Sequence, residues 1–201
     1  MTRVNWRPSN LLNPVPAVMV SCADEEGHAN VMTAAWTGTI CSDPVMVSVS
    51  IRKSRYSHDI IQRTGEFVIN LTTKDLAKVT DYVGVHSGKN KDKFNLPGDL
   101  HITQYPSEKV KAPSIAESPV CLECVVKQIL ELGSHDMFIG EVVNTSIDEQ
   151  YIDENGKLDL SKADLITYCH GEYYTMGKKI GSFGYSVRKK KRKYPKSHIH
   201  K

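Results

Sequence analysis

A chain of 201 residues with 40% hydrophobic side chains can build one packed domain, and it holds no apolar run long enough to span a bilayer. The formal charge of +3 hides an asymmetry: eight Lys/Arg and no acid lie from Arg188 onward, leaving 18 basic against 23 acidic residues before them, so a body of −5 carries a tail of +8. That body excludes a nucleic-acid-binding surface, and any weak polyanion affinity belongs to the tail. The five Cys (22, 41, 121, 124 and 169) are odd in number and scattered, unlike a secreted disulfide framework. Met1 to Trp6 lacks the apolar stretch of a signal peptide. The expectation is a cytoplasmic protein with a single domain over residues 1–187 and a basic, disordered tail over 188–201.

In chain order, Asn13-Pro14-Val15-Pro16 precedes a short strand, Ala17 to Cys22, and Asp24-Glu25-Glu26-Gly27 turns it back, so a first hairpin is predicted from about Ala17 to Thr39. Its second arm, Asn30 to Gly38, sets small residues beside Trp36, which suits close approach of the backbone to a flat ring. After the turn at Asp43-Pro44, Val45, Val47, Val49 and Ile51 alternate with Met46, Ser48, Ser50 and Arg52, the pattern of a half-buried strand. It empties into Arg52-Lys53-Ser54-Arg55 just before a short helix, with Ser57 as its candidate cap and Gly65 as its end. Hydroxyls, cations and unpaired amides at a helix start make an anion receptor; the plainer reading is a solvated basic turn.

Glu66 to Leu71 alternates again, and Thr73 is placed to cap a second helix carrying Leu76, Val79 and Val83. A lysine-rich loop, His86 to Phe94, leads to residues 95–118, whose prolines and lack of periodicity read as an irregular surface connection. Val120 to Leu132 reads as a long strand with Val120, Leu122, Cys124, Val126, Leu130 and Leu132 on one face. A turn at 133–136 leads to a partner strand, Met137 to Ile147. Six or seven strands joined mostly by hairpins favour an antiparallel barrel over a doubly wound sheet, and the P-loop and Rossmann fingerprints are absent from the sequence.

Cys121 and Cys124 invite a dithiol reading, but three residues along a strand separate their Cα atoms by roughly 10 Å, beyond the limit of about 7 Å for a disulfide. No second Cys pair stands at zinc-finger spacing, so no metal set follows. No catalytic triad or carboxylate pair stands out.

Seven pieces in this order resemble the flavin reductase-like, FMN-binding split-barrel family, in its flavoredoxin branch. They are Asn-Val-Met-Thr-Ala-Ala-Trp (30–36), Ser-Ile-Arg-Lys-Ser-Arg-Tyr-Ser (50–57), Gly-Glu-Phe-Val-Ile-Asn (65–70), Ser87-Gly88 with Asp92-Lys93-Phe94, Leu122-Glu123-Cys124, His135 with Ile139-Gly140-Glu141-Val142, and Tyr174 with Gly177. The resemblance spans roughly Asn13 to Ser186. It implies a mainly β fold with short helices, an antiparallel Greek-key split β-barrel, and a homodimer binding one noncovalent FMN per subunit. The implied activity is an NAD(P)H-dependent flavin oxidoreductase, with NADH or NADPH as donor. The alternative is a flavoredoxin-type carrier that exchanges electrons with a redox protein partner.

By the same resemblance, Met32, Thr33, Ala34, Ala35 and Trp36 lie along the flavin ring, although the residues alone read as a core Trp among small neighbours. Ser48, Ser50, Lys53, Ser54, Arg55 and Ser57 form the phosphate and ribityl cradle. Asn70 approaches the ring through its backbone, or is a plain strand-end Asn. Ser87 and Lys93 belong to a second loop on the phosphate side. His135 is a nicotinamide contact, an interface residue or a turn cap. Tyr168, Tyr173 and Tyr174 bring an aromatic toward the flavin or pack in the core.

Overall fold

A computed structural model describes residues 1–188. The basic tail falls almost wholly outside the described residues. Strands β1 (Val15–Pro16), β2 (Val18–Ala23), β3 (Ala29–Ala34), β4 (Thr37–Ser42) and β5 (Val45–Arg52) precede helix α1 (Tyr56–Thr64). Then come β6 (Glu66–Leu71), α2 (Ala77–Val85), β7 (Gln104–Tyr105), β8 (Ser114–Ile115), β9 (Val120–Glu131), β10 (His135–Ile147), β11 (Ile166–Cys169) and β12 (Glu172–Thr175).

Seven strands form one antiparallel sheet in the order β3-β2-β6-β9-β10-β5-β4. β3 and β4 are neighbours in sequence yet occupy opposite edges, with only Ala35 and Trp36 between them. Two linking residues span at most about 11 Å between the flanking Cα atoms, so the sheet must roll until the end of β3 lies near the start of β4, at a seam that no ladder closes. The Ser50 amide donates to the Trp36 carbonyl at 2.9 Å, extending the β4–β5 ladder by one residue into this link. The result is the expected split barrel. One part of the expectation changes: residues 30–38 are not one strand, because the chain leaves β3 at Ala34 and re-enters the sheet on its other side.

Inside the barrel, alternate residues of the strands meet the buried face of α1: Val18, Val20, Val49, Ile51, Ile60, Ile61, Phe67 and Phe138 form the main core. The predicted alternation of β5 holds for Val47, Val49 and Ile51, while Val45 at the strand's start is exposed. β2 and β6 are covered on both sides. Met19 and Val31 pack beneath Leu76, Val79 and Val83 around α2, and Val68 packs with Val110, Ala112 and Cys121. The stretch 95–118 is therefore more than a surface connection, since Ile102, Ala112 and Ile115 are buried. The buried Glu123 carboxylate anchors it, accepting from the Glu108 and Lys109 amides at 3.0 and 2.6 Å and from Asn144 Nδ2 at 2.8 Å. Burial alone would raise that carboxyl, but these donors outweigh it and hold Glu123 below the ordinary range.

Gly65 ends α1 in the left-handed conformation (φ 69°), as the sequence indicated, but Arg55 rather than Ser57 occupies the cap position. Thr73 serves the turn before α2, its Oγ1 accepting from the Leu76 amide at 3.4 Å. On β9 an extra residue, Lys127, shifts the pairing from Val126↔Gly140 to Gln128↔Ile139. The bulge reverses the face beyond it, so Ile129 joins Leu122 and Val126 against the core and Leu130 does not. All five cysteines are free thiols, with Cys121 and Cys124 in separate apolar clusters.

Gly140 lies at this bulge. A Cβ there would stand 2.7 Å from Phe67 Cζ and 3.2 Å from Cys124 Cβ, so the fully buried Phe67 ring packs directly on backbone. Gly140→Ala should overpack this contact and cost about 1–3 kcal/mol, read as a lower midpoint of urea unfolding.

Candidate cofactor-binding site

The end of β5 and the start of α1 build one half of the site. Arg55 is extended (φ −77°, ψ 135°), its amide donates to the Arg52 carbonyl at 2.9 Å, and the helix opens at Tyr56 without a side-chain cap. Leading amides of a helix have no partner within it and carry partial positive charge. They adjoin a cavity of 220 Å³ walled by Arg52, Ser54, Arg55 and Ser57 on one side and by His86, Ser87, Gly88 and Lys93 on the other, with Asn30 and Met32 between. Lys93 is only 3% exposed, and its ammonium donates to the Val31 and Val83 carbonyls at 2.9 and 2.8 Å. Burial, reinforced by the nearby Arg55 charge, lowers its pKa to about 8.

A second cavity, of 430 Å³, shares Met32, Arg52 and Arg55 with the first and runs along residues 33–36 and Ser50. α2 supplies Asp81, Gly84 and Val85, while Tyr168, Gly171 and Tyr173 enter from the β11–β12 hairpin, which β1 holds beside β2. Trp36 is 43% exposed and packs against His135 in a tilted pair, ring centroids 4.7 Å apart and planes at 41°. Burial and then the Arg52 charge lower the His135 pKa, which favours a neutral imidazole. Tyr173 packs edge-on against Tyr168 and donates to Asp81 Oδ1 at 3.2 Å; burial and that carboxylate push its phenol up to about 12. One end of the double cavity is cationic and rich in N–H and O–H donors. The other is flat and aromatic.

Most of the residues singled out in the sequence come together here: Met32 to Trp36, Ser50, Ser54, Arg55, Ser57, Ser87, Lys93 and His135. Three do not. β4 pairs with β5 as far as Val49, so Ser48 lies against Gly38, its carbonyl accepting from Thr37 Oγ1 at 2.7 Å, and only Ser50 projects past the seam. Lys53 turns to Glu131 Oε2 at 2.9 Å and Asp136 Oδ1 at 3.4 Å, because the β9–β10 hairpin lies beside the end of β5. Asn70 is wholly buried on the far side of β6. Its Nδ2 donates to the Met19 carbonyl and Ser21 Oγ at 3.1 and 2.9 Å, and its Oδ1 accepts from the Ile115 amide at 2.9 Å. Tyr174 is exposed and outside both linings.

Sequence reading missed Asn30, Tyr56, His86 and Val85 as wall residues. Asn30 heads the run of small residues and was legible as part of it; the others follow from loop and helix placement that periodicity does not encode. It also missed a buried support. His58 Nε2 lies 2.8 Å from Asp136 Oδ2, tying the first turn of α1 to β10.

With this geometry in view, comparison with known proteins decides the family. Residues 12–177 match the model of the flavin reductase like domain. The chain belongs to that family. Flavoredoxin of Desulfovibrio vulgaris (Miyazaki F) is 31% identical, with a TM-score of 0.84 over 93% of this chain and 100% of that one. Flavoredoxin from Methanosarcina acetivorans is 28% identical, with a TM-score of 0.81 over 94% of this chain and 100% of that one. An uncharacterized protein of Pyrococcus abyssi is 34% identical over 170 residues, 85% of this chain and 95% of the relative. Among the described residues of this flavin reductase-like chain, no helix is long and apolar enough to cross a membrane.

The His58–Asp136–Lys53 contacts carry a pH signature. Burial opposes the charge of Asp136, but the His58 and Lys53 bonds prevail and hold its carboxyl below the ordinary range. A depressed folded pKa gives stability that is complete above the unfolded value, about 3.9, and is lost as pH falls through the folded one. Asp136→Asn should therefore lower the urea midpoint at pH 7, and the gap from wild type should close below about pH 4.

Proposed function

We propose that this chain binds FMN noncovalently, its phosphate in the smaller cavity and its isoalloxazine ring in the larger, and works as a flavin oxidoreductase. The observation that carries this reading is the junction of the two cavities at Met32, Arg52 and Arg55, with cations and helix-start amides on one side and an aromatic trough on the other. The residues present fit the group. A near-dianionic phosphate suits Arg55, Arg52, Lys93, Ser54 and Ser57, and small cofactors occupy cavities of roughly 300–1,000 Å³, a range that the joined cavities reach. Bound FMN supplies the hydride and single-electron chemistry.

The protein's own part is binding and exclusion. Residues 32–35 offer a flat wall of backbone and small side chains. Trp36, Tyr168 and Val85 line the larger cavity and offer the ring apolar surface, and the neutral His135 at the rim offers a hydrogen-bonding edge to a nicotinamide. No general acid or nucleophile is required of the chain. NADH or NADPH is the proposed donor. A homodimer is proposed from the exposed Leu11 and Leu12 next to the wall residue Asn10 and from the half-exposed Trp36. The second reading, an electron carrier serving a protein partner, is favoured by the two flavoredoxins among the similar structures.

The deciding experiment is the visible spectrum of the FMN-loaded protein under anaerobic conditions, before and after NADH or NADPH. Bleaching at catalytic rates supports the reductase; a bound band that only dithionite bleaches supports the carrier; no bound flavin overturns the proposal. Lys93 gives a second check. Its pKa near 8 means that FMN binding must take up a proton at higher pH. FMN affinity should fall above pH 8 by up to about tenfold per pH unit, while the phosphate, with its second pKa near 6, holds a constant charge. In Lys93→Met the affinity at pH 7 should fall by roughly tenfold or more, and the decline above pH 8 should vanish. Affinities at each pH come from quenching of flavin fluorescence.

A further inference from the structure

We infer that Asn30 and Gly88 act together as a positioning pair that aims the Ser57 hydroxyl into the smaller cavity, and thereby select phosphorylated flavin over riboflavin. The inference deepens the proposed function, since it rests on the smaller cavity being the phosphate site. Asn30 is 4% exposed, stands near the start of β3, and its Nδ2 donates to Ser57 Oγ at 2.7 Å. A hydroxyl oxygen that accepts from an amide keeps its single hydrogen for another acceptor. Ser57 lies in the first turn of α1, lines the cavity and is itself 1% exposed, so few acceptors reach it. The neighbour inside the protein is the Cys22 thiol, which burial pushes up to about 12 and so keeps protonated. A protonated thiol is a weak acceptor and yields to a phosphate oxygen.

Gly88 secures the carboxamide from the opposite side. A Cβ at this position would fall 2.1 Å from Asn30 Oδ1 and 2.9 Å from Tyr56 Cδ1, an approach that only glycine permits. The 86–88 loop thus presses on the oxygen of Asn30 while its nitrogen holds Ser57. The hydroxyl oxygen is fixed before any ligand arrives, so only its hydrogen has to turn from Cys22 to the phosphate. Asn30 and Gly88 wall the smaller cavity alone and not the larger one. Their effect should therefore depend on the phosphate and spare the ring.

The test compares dissociation constants for FMN and riboflavin, by titration calorimetry or flavin fluorescence, in wild type, Asn30→Ala, Ser57→Ala, the double variant and Gly88→Ala, with circular dichroism as a check on folding. Loss of one charge-assisted bond should weaken FMN binding by about 10- to 100-fold in Asn30→Ala and leave riboflavin within about twofold. The double variant should bind FMN no more weakly than Ser57→Ala, since Asn30 acts through Ser57. Gly88→Ala should repeat the FMN-selective loss, and it decides alone if Asn30→Ala does not fold. Equal losses for FMN and riboflavin, additive losses in the double variant, or wild-type FMN affinity in Gly88→Ala would overturn the inference. A wild-type protein that binds FMN no better than riboflavin would instead refute the phosphate reading of the cavity.

Discussion

The structure depends on a covalent constraint at Ala35 and Trp36. Because β3 and β4 are consecutive in the chain but hydrogen-bond at opposite edges of a seven-stranded sheet, two residues must bridge what an open sheet would hold many strands apart. Rolling the sheet satisfies that constraint, and the same roll encloses Val20, Val49, Phe67 and Phe138 around α1. The seam is also where ladder pairing runs out. β4 covers β5 only as far as Val49, so the last residues of β5 extend past their partner and the small residues of β3 lie open beside them. The candidate site is the part of the barrel that closure leaves unpaired, and fold and site therefore have one cause.

The charge distribution follows from the same geometry. The body carries net negative charge, yet Arg52, Arg55 and Lys93 converge on one cavity. Arg52 and Arg55 arrive because the strand ends at the helix start. Lys93 arrives from a distant loop and is held by two carbonyls. Burial first and the neighbouring Arg55 charge second disfavour the Lys93 ammonium, which is visible in its lowered pKa. An anion of matching charge offsets both. Lys53, four positions before Ser57, escapes the cluster through Glu131 and Asp136, and there it steadies the hairpin that presents His135 to Trp36.

Much of the fold was legible because β5, β6 and the first part of β9 alternate, Leu76, Val79 and Val83 keep helical spacing, and Gly65 marks a helix end in a conformation that glycine favours. The run 30–36 and the turn 52–57 were legible as a site because small residues beside a Trp, and cations after hydroxyls, exceed what solubility requires. What escaped depends on register. The break at Ala35, the bulge at Lys127 that moves Leu130 off the core, and the burial of Ile102 and Ile115 in a stretch without periodicity are all set by partners far away in sequence. Asn70 shows the limit at the level of one side chain. A strand-end Asn reads alike whether it faces a ligand or bridges β2 to the segment before β9, and only the second face of β6 decides between them.

The buried polar groups around the barrel share a further property. Glu123, Asn70, Asp136 and Asn30 each join segments that no apolar contact would align, and each carries hydrogen bonds with a definite direction. Such groups are costly if left unsatisfied, so any slip of β10 against α1, or of the 106–112 stretch against β9, strands a polar atom. Apolar packing tolerates small slips far better. Under the proposed function, in which the chain contributes position rather than acid–base chemistry, that intolerance is useful, because it fixes donors where an anion and a planar ring would meet them.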